Sequence, residues 1–250
     1  MKNLKTTLVV LASFCALLPA QRLDSYDVVV IGATPAGIAA AIQAGRAKLS
    51  VALVEEMPVP GGLLTSGVSR ADDAMVQSVS GVFEDFRRRI AHYHRTELAN
   101  DPVVKAQLAA PKVRHSVPMG QAWEPKVGVM VYRKMLAEHP SIQTYYREVP
   151  VAAKLEGDRV VAVVTKDAQG TEHTYRGRAV IDATYEGDVA AFAGVPYDLG
   201  REARSPEQPM RGKSIPTCSA KGSTSCPAPS CPVAAARATK RSWPTTTGSW

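Results

Sequence analysis

The sequence predicts an α/β fold built on a parallel sheet, and three observations carry that prediction. Tyr26, Asp27, Val28, Val29, Val30 and Ile31 form a short apolar run, as a strand buried on both faces requires. An alanine-rich stretch follows over 36–47, with Ile38, Ala41, Ile42 and Ala44 at helical spacing. Ser50 to Val54 form a second β-branched run that ends in Glu55 and Glu56. Strand, glycine turn, helix and strand make one βαβ unit, whose two strands are parallel.

The turn inside this unit carries chemistry. Gly32-Ala33-Thr34-Pro35-Ala36-Gly37 is a variant of G-x-G-x-x-G. Gly32 permits a tight turn after the strand, and Gly37 lets the helix pack close to it. Thr34 replaces the middle glycine, where a backbone approaches a pyrophosphate, and its hydroxyl offers a donor to phosphate. Pro35 suits the first helical turn, which has no intrahelical partner for an N–H there. The helix start adds backbone donors and a partial positive charge. Glu55 lies 23 residues after Gly32, at the end of the second strand. A carboxylate there accepts both ribose hydroxyls and repels a 2′-phosphate, which disfavours NADP. Together these residues predict a dinucleotide site.

Beyond the unit, residues 57–73 read as loop, with Pro58, Pro60, Gly61, Gly62 and Gly67. Val79, Val82, Phe83, Phe86, Ile90 and Tyr93 predict an amphipathic helix over 76–98. Its opposite face carries Arg87, Arg88, Arg89 and Arg95 and reads as solvated. His92 and His94 are two apart on that helix, so they diverge, which argues against a shared metal. His115 and Tyr132 read as structural. Residues 99–124 look irregular, a second helix is expected over 126–138, and Ile142 to Tyr146 read as a strand. Val149, Val151, Ala153 and Leu155 alternate, Gly157–Asp158 turns the chain, and Val160 to Thr165 return, which is a hairpin signal. A further strand over 172–182 ends at Ile181–Asp182. The expected domain is therefore Rossmann-like, spanning 21–204, with a β-meander at about 149–180 inserted after the first α/β half.

Charge and cysteine usage narrow the function classes. The chain has 250 residues and a net charge of +7, enough length for one or two domains. Lys2 and Lys5 supply two of those charges, and the residues from Ser205 onward supply five. Residues 21–204 are near neutral, so the basic balance gives no reason to expect a nucleic-acid surface. Cys15, Cys218, Cys226 and Cys231 all lie outside 21–204, which excludes a redox-active cysteine pair in the core. The spacing of the last three fits no usual zinc pattern.

The two ends differ from the middle. Lys2 and Lys5 followed by the apolar run Leu8 to Leu18 read as a signal peptide over 1–20. The run is too short to span a bilayer. Export to the periplasm or medium is expected, with an uncleaved membrane anchor as the alternative. From Ser205 to Trp250 seven of 46 residues are proline and no apolar period survives. That composition predicts disorder. It is expected either as a cysteine-bearing interaction tail or as a truncated or frameshifted end after Arg204, where the recognisable pattern stops.

Tyr26 to Glu55, followed by Gly61-Gly62-Leu63-Leu64-Thr65-Ser66-Gly67, resembles the FAD-dependent oxidoreductases of the glutathione-reductase type. Ala179-Val180-Ile181-Asp182-Ala183-Thr184-Tyr185-Glu186-Gly187-Asp188 is similar to the family's segment that returns from the meander to the FAD domain. Trp123-Glu124-Pro125 before a helix also looks like this branch. Tyr185 stands where many members have glycine. The resemblance implies FAD as cofactor and a hydride moving through flavin N5 to or from an unidentified small molecule. It implies cofactor contacts from Gly32, Ala33, Thr34, Pro35, Ala36 and Gly37, from Glu55 and Glu56, and from Gly61, Gly62, Leu63 and Ser66. Val151 is the expected backbone contact to adenine, with Val149 its competitor. Ala183, Thr184, Gly187 and Asp188 complete the set. No catalytic acid or base is identified: Arg70, Asp72 and Asp73 lie after the glycine loop and read as solvated. No metal ligand is identified either. An NAD-binding dehydrogenase accounts for Gly32 to Glu55 but leaves Gly61–Gly67 and Asp182–Asp188 unexplained. A non-catalytic exported fragment is the third reading.

Overall fold

Strand β1 (Leu23–Ile31) lies at the centre of the sheet because both of its edges are occupied. Strand β2 (Val51–Glu55) runs parallel on one edge, pairing Val28 with Val51 and Ile31 with Val54. On the other edge runs β6 (Glu172–Asp182), pairing Val28 with Ala179 and Ile31 with Asp182. Asp27 and Ser50 lock the entry to β1 and β2: the Asp27 N–H donates to Ser50 Oγ at 2.9 Å, and Ser50 Oγ donates back to Asp27 Oδ2 at 2.8 Å. The computed structural model describes residues 23–71, 79–109 and 120–197.

The remaining elements follow in chain order. Helix α1 (Pro35–Arg46) joins β1 to β2. A single turn, α2 (Leu63–Ser66), interrupts the glycine-rich loop. Helices α3 (Gly81–Thr96), α4 (Pro102–Ala109) and α5 (Pro125–Ala137) precede β3 (Ile142–Tyr146), which pairs parallel with β2. Strands β4 (Glu148–Glu156) and β5 (Arg159–Asp167) are antiparallel, as are β5 and β6. The sheet order is β3-β2-β1-β6-β5-β4. The meander follows the first α/β half as expected and joins the same sheet: Thr174–Arg176 of β6 pair with β5 on one side and β1 on the other.

Both faces of the parallel strands are buried, which is why they read as unbroken apolar runs. Val28, Val30, Val51 and Leu53 meet α1, α3 and α5. There Phe86 stacks on Tyr132 at 4.1 Å and meets the edge of Trp123 at 5.1 Å. Val29, Ile31, Ala52 and Val54 meet Tyr26, Val163 and Tyr175 on the opposite face. Glu148 is buried near that layer, where it accepts from Thr165 Oγ1 at 2.6 Å and from the Tyr175 phenol at 2.8 Å.

Several expectations need correction. Helix α4 falls within the stretch read as irregular; only Val104 of it is buried, so it leaves little apolar period. Helix α3 begins at Gly81, and residues 72–78 are outside the described set. Arg87 does not share the solvated face of Arg88: it is 3% exposed and donates from Nε to the Gly120 carbonyl. Arg89 bridges α3 to Glu138 just beyond α5. Among the described residues no helix is long and apolar enough to cross a membrane. The leader at 1–20, Asp72, Asp73, His115 and the tail from Ser205 lie outside them.

The chain divides into two units, Met1–Val189 and Ala190–Trp250. Helix α6 (Asp188–Phe192) starts in the first. In the second it ends in a turn in which the Gly194 N–H donates to the Ala191 carbonyl.

Candidate functional site

In an open α/β sheet, ligands bind beyond the carboxyl ends of the strands, where neighbouring strands connect in opposite directions. Here that point lies at the ends of β1, β2 and β6. Ile31 continues into Gly32, whose φ of +98° turns the chain sharply. A Cβ on Gly32 would come within 2.7 Å of the Ala183 carbonyl, and one on Gly37 within 1.9 Å of the Gly32 carbonyl. Both glycines are therefore required by backbone packing alone.

Thr34 caps α1, accepting from the Gly37 N–H at 3.3 Å. Its hydroxyl proton goes to the Ala183 carbonyl at 2.9 Å. Its proton ties the turn to the segment after β6, and the helix start adds backbone donors and a partial positive charge. Pro35 occupies the first helical position as expected, and Ala36 beside it is exposed.

Glu55 is 5% exposed. Its Oε2 accepts from the Ala33 N–H at 2.6 Å, and its Oε1 accepts from the Met57 N–H at 2.8 Å. Burial raises its pKa above the usual carboxylate range, against the lowering effect of those two bonds. An ionised carboxylate has about four acceptor positions, so about two remain for a ligand's hydroxyls. Glu56 is half-buried beside it.

The glycine loop docks on this turn: the Gly61 N–H donates to the Ala33 carbonyl at 2.7 Å. Gly61 and Gly62 have φ of +113° and +52°, conformations that side chains rarely adopt. Ser66 Oγ donates to the Gly62 carbonyl at 2.7 Å, and Thr65 Oγ1 donates to the Pro60 carbonyl at 2.8 Å. From the other side, the Ala183 N–H donates to the Ile31 carbonyl at 2.8 Å. Thr184 donates twice to Asp182 Oδ1 and accepts from the Asp188 N–H. Gly187 has φ of +70°. The structure thus brings together 32–37, Glu55, 61–66 and 182–188. Val151 stands apart from these contacts on the edge strand β4. A register shift between Pro150 and Ala152 leaves it without a ladder partner, whereas Val149 pairs with Lys166.

Three supports were not read from the sequence. The Tyr185 phenol accepts from the Leu63 N–H at 2.8 Å. The Trp123 indole donates to the Leu64 carbonyl at 2.8 Å. His94, fully buried, places Nδ1 at 2.8 Å from the Ile90 carbonyl and Nε2 at 3.0 Å from Glu124 Oε2. A carbonyl only accepts, so Nδ1 is the donor to Ile90. Burial opposes ionisation of Glu124, but the His94 bond holds its pKa below the usual range. The available signals were the position of His94 one turn after Ile90 and the Glu124–Pro125 helix start. No group of three or more His, Cys, Asp or Glu that could hold a metal ion occurs among the described residues. Arg70 forms a β-bridge with Ala122.

This constellation on this sheet defines a dinucleotide-binding α/β domain. The FAD dependent oxidoreductase family matches residues 27–245, and the chain belongs to that family. The matched region runs past Arg204, where the recognisable sequence pattern stops. Over 60 residues the chain is 47% identical to the NADH:fumarate oxidoreductase of Klebsiella pneumoniae (strain 342), which is 23% of this chain and 6% of that protein. Over 46 residues it is 52% identical to the alpha chain of the sarcosine oxidase of Rhizobium meliloti (strain 1021), covering 18% of this chain and 5% of that protein. The chain therefore matches less than a tenth of the length of these relatives. Among solved structures it is similar to p-nitrophenol 4-monooxygenase PnpA from Pseudomonas putida DLL-E4, at 16% identity and a TM-score of 0.45, over 72% of this chain and 46% of that one.

FAD is the cofactor of the family, and the residues fit it. Glu55 retains acceptor positions and the start of α1 is free of acidic residues.

Proposed function

We propose that this chain forms the FAD-binding part of an oxidoreductase that acts on a small molecule. The observation that carries this reading is the convergence of the glycine turn, Glu55 and the 61–66 loop at one crevice. When bound, FAD supplies hydride transfer at N5. The chain's own residues bind and orient it. Glu55 holds the ribose through its remaining lone pairs, the start of α1 faces the pyrophosphate, and Gly61, Gly62, Leu63 and Ser66 with Ala183, Thr184, Gly187 and Asp188 line the remainder. The unpaired backbone at Val151 supports an adenine contact there. The test is titration of the purified chain with FAD and, separately, NAD. A visible flavin band shifted on binding, with no NAD binding, is the expected result. NAD binding without FAD would reverse the reading.

We also propose export, from the basic and apolar character of residues 1–20 alone. Amino-terminal sequencing of protein recovered outside the cytoplasm should begin near Gln21. An intact Met1 on membranes would favour an anchor.

A further inference from the structure

We infer that Tyr185 is a latch across the crevice, which must release the Gly62–Leu63 backbone before a dinucleotide seats there. The inference rests on the FAD reading of the site. Two segments line this part of the crevice, the 61–66 loop and the 182–188 return, and Tyr185 bridges them. Its phenol oxygen accepts the Leu63 N–H at 2.8 Å. The same oxygen lies 2.3 Å from where a Cβ on Gly62 would be, with ring carbons at 3.0 and 3.1 Å. The open space left by the missing Gly62 side chain is thus filled by the tyrosine rather than left for a ligand.

The two ends of the latch differ in rigidity. Thr184 bonds to Asp182 through both its N–H and its hydroxyl, and it accepts from the Asp188 N–H, so the base of Tyr185 is fixed. The side chain beyond that base is 59% exposed. Its hold on the loop is one neutral hydrogen bond that water can replace. A rotation about the side-chain bonds moves the ring into solvent and uncovers Gly62 and Leu63 without disturbing the sheet. A bound state that needs this opening has its affinity reduced by the fraction of molecules already open. One exposed hydrogen bond corresponds to about a fivefold effect.

The experiment compares the full-length wild type with Tyr185→Phe and Tyr185→Ala. Both changes are at an exposed side chain, so all three proteins should fold. Amide hydrogen exchange over 62–66 without ligand reads the latch directly. FAD association rate and affinity read its consequence. Faster exchange in both variants, with FAD binding about fivefold faster or tighter in Tyr185→Ala, is expected. Unchanged exchange overturns the latch. Slower or weaker FAD binding in Tyr185→Ala also overturns it, and would make the ring an adhesive contact. If no protein binds FAD while exchange still rises in the variants, the FAD reading fails and the inference falls with it, although the Tyr185–Leu63 contact stands.

Discussion

Glu55 does two jobs with one carboxylate. It fixes the Ala33 and Met57 backbones, and in the proposed function its remaining acceptor positions take a ribose. Because burial raises its pKa, it takes up a proton at higher pH than an ordinary glutamate. Only the ionised form offers every lone pair, so FAD affinity should be full above the raised pKa and fall as pH drops through it. Folding stability moves the opposite way for this group. Its favourable contribution is complete below the ordinary glutamate value and is lost as pH rises through the folded value. Glu55→Gln should weaken FAD about tenfold or more, since bonds to a charged acceptor are replaced, and should flatten the acid limb of a titration against pH. An acid limb that survives in Glu55→Gln would assign it to another group. Gly37 makes a separate demand. A methyl group there would sit 1.9 Å from the Gly32 carbonyl, with rigid backbone on both sides. Gly37→Ala should cost about 2 kcal/mol or more, seen as a lower urea midpoint with or without cofactor.

At the scale of elements, α3, α5 and the glycine loop form one mechanical unit. His94 on α3 bonds to Glu124 at the start of α5, and Trp123, the preceding residue, donates to Leu64 in α2. Trp123→Phe keeps most of the ring packing against Phe86 but removes the N–H. It should cost about 1 kcal/mol and raise amide exchange over 63–66 while leaving that of β1 unchanged. Equal increases throughout would mean that the indole supports the whole core rather than the loop. These contacts also explain what could be read in advance. Helix α5 and strands β3 and β6 were legible because their apolar residues recur with a local period, and the hairpin because Gly157–Asp158 marks its turn. Helix α4 and the buried Arg87 were not. One buries a single valine, and the other is a charged residue that pairs with Glu84 on its own helix but is buried by its bond to Gly120 on a distant segment.

For the molecule as a whole, the meander and the parallel strands share β6, so the two halves should unfold together. Tyr175 joins them: its ring lies 4.9 Å from that of Tyr145 on β3, and its phenol bonds to Glu148 on β4. Tyr175→Ala should cost about 3–5 kcal/mol, and Tyr175→Phe less. Both should give one unfolding transition by far-UV and near-UV circular dichroism. Two separated transitions in the wild type would show that the meander folds apart from the sheet. The sequence alone determined the βαβ unit, the glycine turn, the acid at Glu55 and the strands of the meander, because each is written in neighbouring residues with a period of two or 3.6. Only the tertiary structure decided where the polar atoms point. Thr34 finds Ala183 from 149 residues away, and Leu63 finds Tyr185 from 122. Hydrogen bonds between such distant positions leave no periodic trace in the chain, so only the folded structure shows which partners those polar atoms find.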